Sequence, residues 1–236
     1  MTRKTVIAVD GPAASGKGTF AKALAAELGY AYLDTGSIYR FIAHAVLQRG
    51  GDPADPADVL PVLRALEYPL PESALKDPAL RAPQIEEATP PVGAMPEAQA
   101  VVRGYQEAFV ENPPNNAAGA VLDGRDVGTS VFPDAEVKFF ITATPEERAR
   151  RRYMQQKDAN PGLTPEMVLQ DINRRDRYDM NRASSPLRQA ADAHVLDTTN
   201  DTPEKALEKG VAIVKAKLSA PKPQTRKPPP RRKFGY

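Results

Sequence analysis

The residues with the clearest chemistry form a glycine-rich run that ends in a lysine. The run reads Gly11-Pro12-Ala13-Ala14-Ser15-Gly16-Lys17-Gly18-Thr19. It follows an apolar segment at 5–10 and opens a helical pattern at 17–28, which is the context of a phosphate-binding loop. Backbone N–H groups and the helix N-terminus would face a polyphosphate, and Lys17 would add a mobile charge. A turn with an incidental lysine is the alternative, and this context disfavours it.

The residue after the lysine departs from the strict pattern of such loops. That pattern has Ser or Thr there to hold Mg²⁺, whereas this chain has Gly18 and places the hydroxyl at Thr19. One helical residue is a rotation of roughly 100°, so Thr19 cannot simply replace the missing ligand. We therefore expect substrate phosphates and water to hold most of the metal's coordination sites. Thr19 is the one candidate side chain for the metal.

Two further apolar segments are each followed by an arginine. Arg40 comes after the second segment, and Arg125 comes after the third. Because ligands of open α/β sheets bind at the carboxyl ends of the strands, both arginines would lie on the edge that holds Lys17. Their paired N–H donors would bind a second phosphate-bearing ligand. The structural alternatives are that Asp34 or Thr35 only caps the next helix, and that Arg125 only pairs with Asp123.

Two charged helical patterns follow the fourth apolar segment. One carries three arginines at spacings of three and four, and the other carries an acid between two arginines at i, i+4 and i+7. In order, these residues are Arg148, Arg151, Arg152, Arg175, Asp179 and Arg182. Phosphoryl transfer needs cations over the transferring group, and a closing segment supplies them while excluding water. A pair of merely solvated helices remains the alternative.

The alternation of strand and helix patterns predicts an α/β fold. Short apolar runs indicate strands at 6–9, 31–33, 120–122, 137–141 and 194–196. Helical patterns occupy 17–28, 37–49, 98–111, 145–157, 164–180 and 203–217. This order is typical of a five-stranded parallel sheet flanked by helices. Residues 50–96 read as an inserted lobe of short helices and turns, and residues 145–185 as a flap.

Composition limits the class of protein. The 236 residues contain no Cys, which excludes disulfides and thiolate zinc sites. We see no signal peptide and no apolar run near the roughly 20 residues of a membrane span, so we expect a cytoplasmic protein without a membrane partner. Residues 219–236 hold six basic residues and no acid, and without them 26 basic residues face 30 acidic ones, a net charge of −4. This proline-rich tail reads as a disordered, solvated extension rather than a specific nucleic-acid site.

Taken together, the motifs resemble those of the bacterial cytidylate kinases, a group of nucleoside monophosphate kinases. The stretches that match are 10–19, 33–40, 123–129, 131–135, 147–152 and 175–182. The resemblance implies a core at 1–49, 116–144 and 186–218, an acceptor lobe at 50–115 and a lid at 145–185, with the tail outside it. It also implies an enzyme that uses Mg²⁺ and ATP to phosphorylate CMP or dCMP, and we expect this chain to be a monomer.

The resemblance assigns roles to individual residues. It implies catalytic roles for Lys17, Arg40, Arg125 and Arg182, and ATP binding by Gly11 to Thr19 together with Arg148, Arg151 and Arg152. The acceptor nucleotide would be bound by Thr35, Tyr39, Arg40, Arg125, Asp126, Arg175, Asp179 and Arg182. Within that set, Thr35, Asp126 and Arg182 would face the base.

The acceptor lobe departs from the family pattern. Gln99 stands where the family has an arginine beside the base, and a family Ser/Thr is displaced to Thr89. Arg103, one turn later, is a possible substitute, so a different acceptor such as UMP stays an alternative. A regulatory GTPase is disfavoured because the chain lacks an Asn-Lys-x-Asp run. A nucleic-acid-binding ATPase is suggested only by the tail.

Overall fold

A computed structural model describes residues 4–158 and 160–219 and has a five-stranded parallel sheet at its centre. The strands are β1 (Thr5–Asp10), β2 (Ala31–Asp34), β3 (Gly119–Gly124), β4 (Val137–Thr142) and β5 (His194–Asp197). Their order across the sheet is β2-β3-β1-β4-β5. All five predicted strands and the α/β fold are therefore confirmed.

Helices connect the strands, and the segment between β2 and β3 contains several short ones. The helices are α1 (Lys17–Leu28), α2 (Thr35–Gln48), α3 (Pro56–Arg64), α4 (Glu72–Leu75), α5 (Pro83–Ala94), α6 (Pro96–Glu111), α7 (Pro145–Gln156), α8 (Pro165–Asn181) and α9 (Pro203–Ser219). Short 3₁₀ turns lie at Pro78–Arg81 and Pro114–Asn116, and a π-helical turn lies at Val127–Val131. The division into core, acceptor lobe and lid stays a prediction.

Two helices begin earlier than the sequence predicted, for identifiable reasons. α2 begins at Thr35 instead of residue 37, because the Asp34 carboxylate accepts the Ser37 N–H and caps the helix. α6 begins at Pro96 instead of residue 98, since proline suits the first helical position.

Alternation along β1 divides the apolar core between the two faces of the sheet. Val6 and Ala8 pack with α2, α5 and α6, whereas Ile7 and Val9 pack with α1 and α9. Side chains alternate along a strand, so the apolar residues that face each core set the register of β1 in the sheet. That register in turn determines the position of its last residue. The phosphate-binding loop predicted after β1 is therefore held between two packed helical layers.

In the described ranges, no helix has both the length and the apolar character that a membrane crossing requires. Ser219 ends α9, and the remainder of the predicted basic tail, 220–236, lies outside the described residues.

Helix α9 approaches α1 so closely that one position has no room for a side chain. A Cβ at Gly210 would lie 2.5 Å from the ring of Phe20, which packs edge-on against Phe139. We predict that Gly210→Ala lowers the free energy of unfolding by about 1–3 kcal/mol through overpacking, despite the better helix propensity of alanine. Thermal unfolding would show a lower Tm.

The matched control is Gly104→Ala on α6, where a Cβ would meet no atom within 4 Å. This change should raise stability by roughly 0.5–1 kcal/mol. A Gly210→Ala protein at least as stable as the wild type would contradict the close packing of α9 on α1.

Candidate active site

The loop between β1 and α1 leaves the N-terminus of α1 available to an anion. Gly16 is the N-cap residue in left-handed backbone, with a φ of 85°, which glycine adopts at little cost. No side chain caps α1 and its first turn holds no acid, so its N–H groups and the positive end of its dipole are not neutralised. The buried hydroxyl of Ser15 has no hydrogen-bond partner within the described residues. The loop is thus built to bind phosphate.

Lys17 lies at the start of α1 among other charged groups. Burial and the nearby Arg125 lower the pKa of Lys17 to about 8, while Asp123 and Asp34 act in the opposite direction. Burial and Asp34 raise the pKa of Asp123 to about 6. Without a ligand, the lysine therefore holds its proton weakly, and a bound phosphate would strengthen that hold.

A carboxylate occupies the space where the strict loop pattern would place a hydroxyl. A Cβ at Gly18 would lie 2.9 Å from Oδ2 of Asp123, so a Ser or Thr would collide with that oxygen. The hydroxyl of Tyr32 donates to the same oxygen at 3.1 Å. The absence of a side chain at Gly18 thus leaves room for the Asp123 carboxylate of β3. Thr19, in contrast, is exposed.

Asp34 orients two arginines on the acceptor side of the loop. Its Oδ2 accepts from Nη2 of Arg40 at 2.6 Å and from Nη2 of Arg81 at 3.1 Å. Burial would raise the pKa of Asp34, but these two guanidinium groups outweigh it and lower the pKa. Nε of Arg40 is buried and has no partner among the described residues, so a donor remains for a ligand. Asp34 therefore both caps α2 and aims Arg40.

Asp179 orients a second pair of arginines. Its side chain is 2% exposed and accepts from Nε of Arg125 at 2.8 Å and from Nε of Arg175 at 3.2 Å. Burial would raise the pKa of Asp179, but the two cations outweigh it and lower the pKa. The ion pair of Arg125 is thus with Asp179 on α8, rather than with Asp123 as the structural alternative held.

Asp10 anchors the turn that follows Arg125. Its carboxylate accepts the N–H groups of Val127 and Gly128 at 2.9 and 2.8 Å. Burial raises the pKa of Asp10 to about 6, although these backbone hydrogen bonds act to lower it. The end of β1 therefore fixes the segment that carries Arg125 and Asp126.

Two of the three residues predicted to face the base, Asp126 and Arg182, form a third charged group. Arg182 lies 3.8 Å from Asp126 and donates through Nε to the Ser185 carbonyl at 2.6 Å. Burial raises the pKa of Asp126 and outweighs Arg182 and the exposed Arg103. Tyr39 is half-buried beside them, and the same Asp126 raises its pKa further after burial.

Three polar groups predicted near the base already have protein partners. Thr35 donates to the Asp123 carbonyl at 2.7 Å, and Thr89 donates to the Ile85 carbonyl one helical turn back at 2.6 Å. Gln99 donates to the Gly93 carbonyl at 2.9 Å. It also donates to the Ser184 carbonyl and accepts a hydrogen bond from the Ser184 hydroxyl. Asp126 and Arg182 also contact protein groups, but as charged residues of the cavity lining they stay the candidates for reading a base.

The three predicted lid arginines have three different environments. Arg148 is 3% exposed, forms a bidentate pair with Asp176 and donates to the carbonyls of Ala13 and Ala143. Arg151 lies beside Gly16, with Nη1 3.6 Å from the position of a Cβ there. Arg152 pairs with Glu86 on α5. In this structure, Arg148 and Arg151 therefore contact or approach the loop, whereas Arg152 is directed to α5.

One cavity of about 2130 Å³ connects the loop with the arginine groups. Its volume exceeds the roughly 300–1,000 Å³ of a single-ligand pocket, which leaves room for more than one ligand. Its charged lining includes Lys17, Asp34, Arg40, Arg81, Asp123, Arg125, Asp126, Arg151, Arg175, Asp179 and Arg182.

The sequence reasoning missed Arg81 and assigned no site role to Asp123. Arg81 lies in the 3₁₀ turn Pro78–Arg81, in a segment of weak periodicity that gives no signal of which way a side chain points. Asp123 did have a signal, because it lies next to the carboxyl end of an apolar run, as Asp34 does, and the two acids are in register on β3 and β2.

The chain is similar to known proteins of one family. The cytidylate kinase family profile matches residues 7–216. Cytidylate kinases of Rhodopseudomonas palustris and Rhodospirillum rubrum are 45% and 46% identical over 211 and 209 residues, covering 89% of this chain and 96% of each relative. The structure of TT1252 from Thermus thermophilus shares the fold at 21% identity, with a TM-score of 0.51 and coverage of 93% of this chain and 100% of that one. The chain belongs to the cytidylate kinase family.

Proposed function

We propose that this chain transfers the γ-phosphoryl group of ATP to CMP or dCMP, giving ADP and CDP or dCDP. One observation carries the proposal: the phosphate-binding loop and the arginines oriented by Asp34 and Asp179 line the same cavity. A site with two separate sets of phosphate donors suits transfer between two phosphate-bearing ligands. The family membership supports the same conclusion.

The proposed chemistry needs positioning and charge rather than a covalent enzyme intermediate. An ionised oxygen of the acceptor phosphate attacks the γ-phosphorus, and the bond from that phosphorus to the β–γ bridging oxygen breaks, leaving ADP. No general base is required, because the attacking oxygen carries no proton near neutral pH. Lys17 and the loop N–H groups would hold the donor, and Arg40, Arg81 and Arg125 the acceptor phosphate.

The donor set near Lys17 fits Mg²⁺. This ion prefers oxygen ligands, and at nucleotide sites it typically uses one or two carboxylates with phosphates and water. Asp123 supplies such a carboxylate near Lys17, whereas both oxygens of Asp34 already accept from Ser37 and the two arginines. No group of three or more acidic or histidine residues suited to a metal occurs within 4–158 and 160–219. We therefore infer that Asp123 would hold the ion in preference to Thr19. When bound, Mg²⁺ would neutralise phosphate charge.

The charge of Asp126 favours cytosine over uracil as the acceptor base. A carboxylate accepts a hydrogen bond from the exocyclic amino group of cytosine, whereas uracil presents a carbonyl oxygen at that position. Arg182 would then contact the remaining acceptor atoms of the base. A UMP kinase is the second candidate. Gln99 stands where the family has an arginine beside the base, and its side chain is already bound to Gly93 and Ser184, so it does not supply that contact. Monomeric state and cytoplasmic location stay predictions.

We predict that Lys17→Ala and Arg125→Ala each lower kcat/KM for CMP by about 100-fold or more, since each removes a cation facing the transferring phosphoryl group. A coupled assay of ADP release measures the effect. Lys215→Ala, at an exposed position of α9, is the control and should keep wild-type turnover. Near-normal kcat/KM in either active-site variant would refute its assigned role.

We predict that the wild type prefers CMP and dCMP to UMP and AMP, and that Asp126→Asn lowers the CMP-over-UMP ratio of kcat/KM by about 10-fold or more. An amide can donate to the uracil carbonyl, and one such hydrogen-bond pattern is worth roughly 1–3 kcal/mol of discrimination. Glu107→Gln, an exposed change on α6, is the control. An unchanged ratio in Asp126→Asn would exclude Asp126 as the base reader.

We predict that binding of a non-hydrolysable ATP analogue takes up protons at pH 8, because free Lys17 has a pKa of about 8 and bound phosphate favours its charged form. Affinity should therefore fall as pH rises above 8. Calorimetry in two buffers of different ionisation enthalpy measures the uptake, which should grow between pH 7.5 and 9. Lys17→Arg stays charged throughout and should not show this growth. Constant uptake in the wild type would contradict the account.

A further inference from the structure

An ion pair joins the predicted lid to the predicted acceptor lobe, and it pairs an arginine that the resemblance assigns to ATP with an acid that has no assigned role. The guanidinium of Arg152 on α7 contacts the carboxylate of Glu86 on α5, and their side chains are 22% and 28% exposed. Among the described residues, it is the one ion pair that links residues 145–185 with residues 50–115. Neither partner belongs to the charged lining of the cavity given above, whereas the neighbouring Arg151 does.

Glu86 places a negative charge beside Arg152, which has other arginines nearby. Burial lowers the pKa of Arg152, and the nearby Arg175 and Arg81 lower it further, with Asp171 as an opposing acid. Both of those arginines line the cavity. Arg152 therefore lies near two arginines that are assigned above to the acceptor side of the cavity, and its guanidinium contacts a carboxylate of α5. A polyphosphate that entered the cavity would attract the same guanidinium.

We propose that Glu86 is a positioning residue that acts through Arg152 and competes with the donor phosphates for it. In the nucleotide-free chain, Glu86 keeps Arg152 on the acceptor lobe, and donor binding must first displace that contact. The apparent affinity for the donor is reduced by the fraction of chains in which Arg152 is held. This inference rests on the proposed function, in which ATP is the donor.

Other contacts between the lid and the acceptor lobe do not depend on this pair. The hydroxyl of Tyr178 donates to the Pro90 carbonyl at 3.1 Å, and Ser184 contacts Gln99. Loss of the Glu86 charge would therefore free Arg152 without releasing the lid from the lobe. Glu87, the next residue on α5, is exposed and provides a change of identical charge at a neighbouring position.

The test measures the Kd of a β,γ-imido ATP analogue for the full chain by calorimetry, with KM for ATP and CMP alongside. Glu86→Gln should bind the analogue about two- to fivefold more tightly, the range of one partly exposed ion pair. KM for ATP should fall and KM for CMP should stay unchanged, a split that a general loss of stability would not produce. Glu87→Gln should match the wild type.

An Arg152→Ala background shows whether Glu86 acts through Arg152. There, adding Glu86→Gln should give no further gain, and a persisting gain would overturn the proposed route. Equal or weaker analogue binding by Glu86→Gln alone would overturn the role of Glu86, while wild-type binding and CMP turnover would leave the proposed function intact. A wild type that binds no analogue would instead overturn the donor assignment on which the inference rests.

Discussion

The parallel register of β2, β3 and β1 is the constraint on which the rest of the site depends. Asp34 pairs with Asp123, and Asp10 pairs with Gly124, so three acids reach the same edge of the sheet. A slip of one residue would turn every side chain of a strand to the opposite face. The apolar alternation that fills both cores therefore also determines which carboxylates meet Lys17 and the arginines.

Buried acids make it possible to hold so many cations in one cavity. Asp34 and Asp179 each accept from two arginines, which fixes the side chains and leaves other N–H groups for a ligand. The positive charge of Lys17 is less fully balanced by nearby acids, so burial lowers its pKa. Phosphates would complete the charge balance, since each brings negative charge to donors that are already oriented. The same reasoning extends to Arg152, whose present partner is Glu86 on α5.

Sequence reasoning was strongest where local pattern determines position. The apolar runs predicted all five strands, and the loop at Gly11–Thr19 and the arginines at Arg40 and Arg125 follow directly from where strands end. Helical spacing also predicted that the arginines of α7 share a region of the helix. It could not give their partners, because Arg148 pairs with an acid of α8 and Arg152 with an acid of α5. Arg81 was missed since it depends on the folding of an irregular segment.

The most direct test of the account uses a bisubstrate analogue in which five phosphates join adenosine to cytidine. If donor and acceptor phosphates lie in line within one cavity, a single molecule should bind per chain, compete with both ATP and CMP, and bind at least about 100-fold more tightly than either, as expected for a ligand that resembles the transition state. Calorimetry with competition by each nucleotide measures this. An analogue that competes with only one nucleotide, or binds no more tightly than ATP alone, would contradict the claim that this cavity joins the two sites.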